Sequence, residues 1–446
     1  MTDTIAAIAT AAGNGGVGII RLSGKKAKAI ALILTQHPTF KPRFAHFSSF
    51  YEKENQVLDS GICLYFPAPA SYTGEDVVEL QVHGGTVVLD MLLRRVLSLG
   101  ARLANAGEFT ERAFLNDKLD LTQAEAIADL IESSTEQSVR SAQKSMQGVF
   151  SDQINALVED LTKLRIYVEA AIDFVDEEID FLGDGVVETK LTTLIEKIQT
   201  IQKTAEQGRL LRDGMTVVLV GKPNAGKSSL LNALAGHDAA IVTEIAGTTR
   251  DVLRERIQIE GMPLHIIDTA GLRESDNPIE QEGIRRAREE LKKADCVVLL
   301  VDSREGKPDA ELLNSLPPSI PLITLYNKID LINHSPESKE TPTGCEIYLS
   351  LKPERGLNLL KDKLKKNMGY IESSDTVFIA RRRHVEALNR ANEYVGNALN
   401  QLQTTLAGEL VAEDLRQAQT SLAEITGTVS SDDLLGKIFS SFCIGK

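Results

Sequence analysis

Residues 215–236 read MTVVLVGKPNAGKSSLLNALAG. Met215–Gly221 is a short valine-rich run, the composition of a buried strand. GKPNAGKSS, from Gly221 to Ser229, fits G-x-x-x-x-G-K-[ST], and the leucines that follow open a helix. A glycine-rich turn between strand and helix lets backbone N–H groups close around phosphates at a helix N-terminus. Lys227 then reaches the β/γ oxygens and Ser228 offers its hydroxyl to Mg²⁺. A chance glycine-rich turn lacks this strand–loop–helix setting.

From Met215 to about Tyr370, strand and helix patterns alternate. IIDT, CVVLLVD and PLITLYN are buried-strand runs separated by helical segments, the pattern of a parallel α/β sheet. Three further motifs lie along it in order. GTTRD at Gly247 has the character of a first switch, with Thr249 able to complete a Mg²⁺ shell. In DTAG, Asp268 would hold that ion through water, Thr269 and Ala270 line the turn, and the Gly271 N–H would meet a γ-phosphate. NKID (Asn327, Lys328, Ile329, Asp330) selects the base, because Asp330 can accept from guanine N1–H and the 2-amino group. Adenine offers neither donor, and an unpaired buried carboxylate is costly. SLK (Ser350, Leu351, Lys352) supports the base edge. GTP is the expected nucleotide. One feature resists the pattern: the residue after DTAG, where a water-orienting side chain is expected, is Leu272, which can neither accept nor donate a hydrogen bond.

The chain of 446 residues is long enough for roughly three domains of about 150 residues each. Its formal net charge of −14 argues against broad nucleic-acid binding, so contact with RNA must be local or delegated to a partner. Cys63, Cys296, Cys345 and Cys443 form no CxxC pair, which suggests neither zinc nor a disulfide framework and fits a reducing cytoplasm. The N-terminus lacks the basic region of a signal peptide, and apolar runs such as CVVLLV are too short to span a bilayer. A soluble cytoplasmic protein without membrane contact is expected.

Residues 1–118 read as α+β. TIAAIAT and VGIIRLSG are short strands, and DVVELQVHG alternates Val78, Leu80 and Val82 against Glu79, Gln81 and His83. Residues 119–213 turn helical, with Leu191, Leu194, Ile195, Ile198 and Ile201 at 3.6-residue spacing. Residues 214–372 form the α/β unit. Residues 373–446 are helical again, with a stripe of Val385, Leu388, Val395, Leu399, Leu402 and Leu406. Two helical segments flanking an α/β unit are most simply one helical domain with that unit inserted. The run Arg381–Arg383 is either a solvated helix face or a tRNA phosphate contact. DFVDEEIDF, from Asp173, reads as a solvated edge or a partner surface.

GGVGIIRLSG, SYTGEDVVELQVHGG, GEFTERAFLNDKLDLTQAEAIADLI, LRIYVEAAIDF, ARRRH and the terminal FCIGK together resemble the bacterial MnmE (TrmE) family, over the chain from end to end. The resemblance implies a multidomain α/β fold: an N-terminal α+β folate-binding and dimerisation domain, a helical domain, and a P-loop GTPase domain inserted into it. It implies a GTP hydrolase acting in C5 modification of the tRNA wobble uridine. A carboxymethylaminomethyl or aminomethyl group is added with an FAD-dependent partner subunit in a heterotetramer or larger complex. It also implies K⁺ beside the phosphates, held by Asn224, Thr243, Ile245 and Thr248, which answers the problem posed by Leu272. The nucleotide loops then run through Ala225, Gly226 and Ser229 and through Glu244, Ala246 and Gly247. Water orientation passes to Glu280, with Glu282 a nearby rival and Glu274 a weaker one; otherwise Glu280 is a solvated carboxylate at a helix start. Arg21, Glu79, Lys118 and Lys446 match positions for 5,10-methylene- or 5-formyl-tetrahydrofolate, which brings Cys443 near the one-carbon donor. The family match raises Arg21 and Glu79 above a surface charge and a strand-face carboxylate. A ribosome-assembly GTPase is the alternative, and predicts a basic appendage after the α/β unit. A stand-alone folate enzyme would need no flavin partner.

Overall fold

The computed structural model describes residues 3–173, 185–238, 254–259, 262–268, 291, 294–308, 310–314, 316–318, 320–342, 344–367, 377–405, 407–429 and 432–445. The chain forms two compact units. One comprises Met1–Ala128, Ser145–Ile195 and Arg390–Lys446; the other comprises Asp129–Lys144 and Glu196–Asn389.

The first unit is built on six strands: β1 (Ile5–Ile8), β2 (Gly15–Ser23), β3 (His46–Tyr51), β4 (Val57–Phe66), β5 (Val77–Gly84) and β6 (Arg102–Leu103). They lie in the order β3-β4-β5-β2-β1-β6, antiparallel except for the β1–β6 pair. The alternation expected in β5 is present. Val78, Leu80 and Val82 are buried with apolar residues of α1 (Ala27–Thr35) and α2 (Thr86–Ser98), while Glu79 and Gln81 are only half-buried. On the opposite face Ile5 and Ala7 pack with Phe109 of α3 (Glu108–Leu115) and with Tyr72. Each large side chain so buried stabilises by about 1.5–3 kcal/mol.

Helices complete this unit. Leu121, Ala124 and Ala128 of α4 (Leu121–Glu132) pack with Ile438, Phe439 and Phe442. α6 (Val149–Asp173) follows α5 (Glu136–Met146), most of which lies in the second unit, and α7 (Val186–Asp213) begins in the first unit and ends in the second, with Leu191, Leu194 and Ile198 of its apolar stripe buried. Within the second unit, α8 (Lys227–Asp238) and α9 (Leu357–Asn367) accompany the sheet. The last helices are α10 (Arg382–Thr405), α11 (Gly408–Thr426) and α12 (Asp432–Ser440). In the first unit α6 packs along α11, where Gln419 Nε2 donates to Thr162 Oγ1 at 3.0 Å.

The stripe on α10 differs from its expected phase. Leu388, Val395 and Leu402 are buried, but Val385 and Leu399 are only half-buried, and His384, Ala387, Ala391 and Ala398 complete the buried face. Leu406 lies outside the described residues, as does the acidic run after Asp173.

The second unit holds a seven-stranded sheet of β7 (Met215–Gly221), β8 (Arg254–Ile259), β9 (Met262–Asp268), β10 (Cys296–Asp302), β11 (Leu322–Asn327), β12 (Glu337–Thr341) and β13 (Gly344–Tyr348). The order is β12-β13-β11-β10-β7-β9-β8, with the five central strands parallel and the two edge pairs antiparallel. Both faces are covered by apolar clusters, and every residue of β10 is buried. This explains the unbroken CVVLLV run: a parallel strand covered on two sides has no polar face. A short hairpin, β14 (Ser350–Leu351) with β15 (Glu354–Arg355), follows the sheet. An N-terminal α+β part, helical segments on either side and a parallel α/β unit between them constitute the expected multidomain architecture.

Candidate functional site

The chain leaves β7 toward β9 on one side and reaches β10 on the other, so strand order reverses between β7 and β10. A crevice at the carboxyl ends of such strands is where open α/β sheets bind ligands. Here a cleft of about 260 Å³ is lined by Lys222–Ala225, Leu299–Asp302 and Lys328, among others.

The glycine-rich loop crosses that end. Asn224 adopts φ +63° and Gly226 φ +112°. A Cβ at Gly226 would sit 2.3 Å from Asn327 Nδ2, so only glycine permits this approach. Lys227 Nζ donates to Gly221 O at 3.0 Å, its stem folded along the loop. Ser228 and Ser229 follow in the first turn of α8.

The base-selecting loop is tied to the phosphate loop. Asn327 Nδ2 donates to Ala225 O at 2.9 Å, and Asn327 Oδ1 accepts from the N–H groups of Lys328 and Leu351. Lys328, at φ +68°, donates from Nζ to Asn224 O at 2.8 Å. Ile329 is buried and anchors the turn. Asp330 Oδ1 accepts from Ser350 Oγ at 2.5 Å, and among the described residues Oδ2 makes no hydrogen bond. A carboxylate latched at one oxygen and open at the other suits the two adjacent donors of guanine. Lys352, which follows Leu351, is exposed.

The sequence reading missed two residues here. Asp302 ends β10 and pairs in register with Asn327; it accepts from Lys328 Nζ at 2.8 Å and from Arg304. The Arg304 guanidinium, then Lys328, outweigh the penalty of burial and hold its carboxyl well below the usual carboxylate range. Ser303 donates to Asn327 O from both Oγ, at 2.6 Å, and N, at 2.9 Å. A polar pair ending a wholly apolar strand at the sheet's switch point was the available signal.

Residues 243–249 of the first switch, Thr269–Gly271, Glu280 with its rivals Glu274 and Glu282, Lys446, and the Asp268 side chain lie outside the described residues.

In the first unit, Arg21 of β2 and Glu79 of β5 are register partners, and Arg21 Nη2 meets Glu79 Oε1 at 2.9 Å. The guanidinium lies 5.6 Å from the Tyr72 ring centroid and 5.8 Å from that of Phe109. The Tyr72 hydroxyl is 2.9 Å from Thr110 Oγ1. Lys118 is exposed, and its stem runs beside Gly74, two residues from Tyr72. A cation, a carboxylate and aromatic rings thus share one place, with chemistry suited to a pterin's donor edge and an acidic tail.

That place rests on a buried network. Arg112 is fully buried, bonding Glu75 and Asp3 through Nη1 and Glu108 and Asp3 through Nη2. Burial opposes the charge on Glu108, yet bonds from Arg102, the Asn105 N–H and Arg112 prevail and hold its carboxyl below the ordinary value. Glu75 also accepts from Ser23 Oγ at 2.7 Å, fixing the loop that carries Tyr72.

The C-terminal tail returns to the same sheet. Ile444 bridges to Ala106, and the Gly107 N–H donates to Cys443 O at 3.4 Å. A Cβ at Gly445 (φ +96°) would lie 2.3 Å from Ile8 O, so glycine lets the tail lie against the end of β1. Cys443 is exposed, whereas Cys63, Cys296 and Cys345 are buried. Burial pushes the Cys63 and Cys296 thiols up to about 12. Iodoacetamide at pH 8 should therefore modify Cys443 alone in the native protein, and all four thiols after unfolding. Peptide mass spectrometry checks this; native modification of a second cysteine would contradict it.

Of the basic run, Arg381 pairs with buried Asp129 at 2.8 Å and Arg382 with Glu386 at 2.8 Å. Arg212 reaches the same Asp129 at 2.7 Å, so Arg381 serves the packing of the second unit.

A parallel α/β sheet with this phosphate loop, cross-tied to a guanine-selecting loop, defines a P-loop GTPase. The MnmE helical domain model matches residues 121–443, and the model of the GTP-binding protein TrmE N-terminus matches residues 4–118. The tRNA modification GTPase MnmE of Hydrogenovibrio crunogenus is 58% identical over 447 residues, covering 100% of this chain and 99% of that protein. The protein of that name from Proteus mirabilis is 56% identical over 453 residues, again covering 100% of this chain and 99% of the relative. The chain belongs to the MnmE family. Among solved structures, the G domain of the Thermotoga maritima iron transporter FeoB is similar at 26% identity, covering 34% of this chain and 98% of its own, with a TM-score of 0.25. An Aquifex aeolicus Era protein shows 24% identity, 40% and 66% coverage, and a TM-score of 0.27.

Proposed function

We propose that this GTPase acts in C5 modification of the tRNA wobble uridine, adding an aminomethyl or carboxymethylaminomethyl group together with an FAD-dependent partner subunit. The observation that carries this reading is the C-terminal tail lying against the end of β1, in the sheet that bears Arg21 and Glu79. It brings the exposed Cys443 to the domain proposed to hold the one-carbon donor. Relatives matched over their full length and named as tRNA modification GTPases support it over the ribosome-assembly alternative.

Arg21, Glu79, Lys118 and Lys446 would hold methylene- or formyl-tetrahydrofolate, which supplies the carbon unit. Glu79 suits the amino-pyrimidine donors, and the cations suit the glutamate tail. Phe47, 79% exposed, pairs in register with Ile62, and Ile62 with Gln81 on the Glu79 face. A homodimer through this domain belongs to the same reading.

In the GTPase unit, Lys227 binds the β/γ-phosphates and the Gly271 N–H the γ-phosphate. Ser228 and Thr249 would hold Mg²⁺; Asn224, Thr243, Ile245 and Thr248 would hold K⁺. The two ions supply neutralisation of charge developing on the phosphates. Asn224 is exposed and lines the cleft, and it is its backbone carbonyl that takes the Lys328 ammonium, which supports this role for its side chain. Glu280 would orient the water. Hydrolysis should be at least about tenfold faster in K⁺ than in Na⁺ at equal ionic strength, because the smaller ion fits the same oxygens poorly. Equal rates would remove the K⁺ assignment.

A further inference from the structure

We propose that Asp302, with Ser303, is a positioning element that couples the guanine-selecting loop to the phosphate loop, although neither residue has a place in the nucleotide-contacting set. The inference rests on the GTPase reading of the cleft, and it extends that reading to β10.

The coupling is visible as a chain of contacts. β10 lies between β7, which delivers the phosphate loop, and β11, which delivers Asn327. At its end Asp302 Oδ2 accepts from Lys328 Nζ at 2.8 Å, and the same ammonium donates to Asn224 O at 2.8 Å. Ser303 grips the preceding residue, donating twice to Asn327 O, while Asn327 Nδ2 holds Ala225 O. The last residue of β10 and the one after it thus hold two adjacent residues, Lys328 and Asn327, and each of those holds one carbonyl of the phosphate loop. Lysine is a flexible four-carbon stem that a single neutral carbonyl restrains poorly. A buried carboxylate on its other side fixes the ammonium, and through it the strained backbone at Asn224. Arg304 also bonds Asp302 from the solvent side and lines the same cleft.

The test is a double-mutant cycle in the full chain, read as the affinity for fluorescent GDP and GTP analogues and as kcat and KM for GTP hydrolysis. Asp302→Asn keeps the shape and removes the charge. It should weaken nucleotide binding about tenfold and raise the K⁺ concentration for half-maximal binding of the GTP analogue. In a Lys328→Met background the same change should alter affinity by less than about twofold, because the residue it acts through is gone. If Asp302→Asn does not fold, Asp302→Glu, which retains charge but misplaces it by one methylene, takes its place in the cycle. An unchanged affinity in Asp302→Asn, or an equal loss with and without Lys328, overturns the proposal. Failure of the wild-type chain to bind guanine nucleotide would instead remove the reading beneath it.

Discussion

Asp330→Asn is expected to cost the protein its preference for guanine. Asp330 is latched through Oδ1 to Ser350 Oγ, and an asparagine oxygen can keep that bond. The change therefore isolates the contacts at the other oxygen. There the carboxylate would accept from two guanine donors, and hydrogen bonds to a charged group contribute about 1.5–3 kcal/mol each. Losing both, and facing amide hydrogens toward the base donors, should weaken GTP by about 10² to 10⁴-fold. Xanthine presents an acceptor where guanine has its 2-amino group, so XTP should gain on GTP in the variant. Competition of GTP, ITP and XTP against one fluorescent nucleotide measures this. An unaltered order of affinities would show that Asp330 does not read the base.

The second large effect belongs to Arg112→Met. Arg112 is fully buried, and its removal takes from Glu75 its ion-pair partner and from Glu108 one of two, with the carboxylate side chains 18% and 5% exposed. Breaking a buried ion pair from one side costs about 3–5 kcal/mol. Arg102 still reaches Glu108 and Asp3, and Ser23 still holds Glu75, which argues for the lower end. A loss of about 3 kcal/mol is expected in the unfolding of the first unit, by denaturant titration with hydrogen exchange read at residues 71–76 and 108–115. The additional changes Glu75→Gln and Glu108→Gln should recover part of it. Wild-type protection of those segments in the single variant would contradict this account of the network.

Much of the second unit is legible from its sequence for one physical reason. The strands β7, β10 and β11 are covered on both faces, so they appear as unbroken apolar runs, and the motifs sit at their carboxyl ends. The first unit is harder to read. HFSSFY of β3 buries Ser48 and Phe50 but exposes Phe47, so its apolar residues do not mark one face. On α10 the buried phase is set by His384 and three alanines, which carry little hydrophobic signal. The His384 ring is fixed there by the Arg381 N–H, at 3.0 Å from Nδ1. Long-range polar ties leave no periodic trace at all. Arg381 meets Asp129 across 252 positions, and Arg112 meets Asp3 across 109. The Asp302–Lys328 bond was hidden in the same way, since each residue lies in a different motif and only the parallel register of β10 and β11 brings them together. The switch residues and Glu280 stand on sequence alone.

The central claim, that this GTPase serves wobble-uridine modification, is tested most directly by the modified nucleosides of tRNA. Total tRNA from a strain lacking this protein would be digested and compared with that of the parent by mass spectrometry. Loss of the aminomethyl-type C5 substituents on uridine is expected, restored by the intact gene but not by a copy carrying Lys227→Ala. Unchanged levels of those nucleosides in the deleted strain would contradict it.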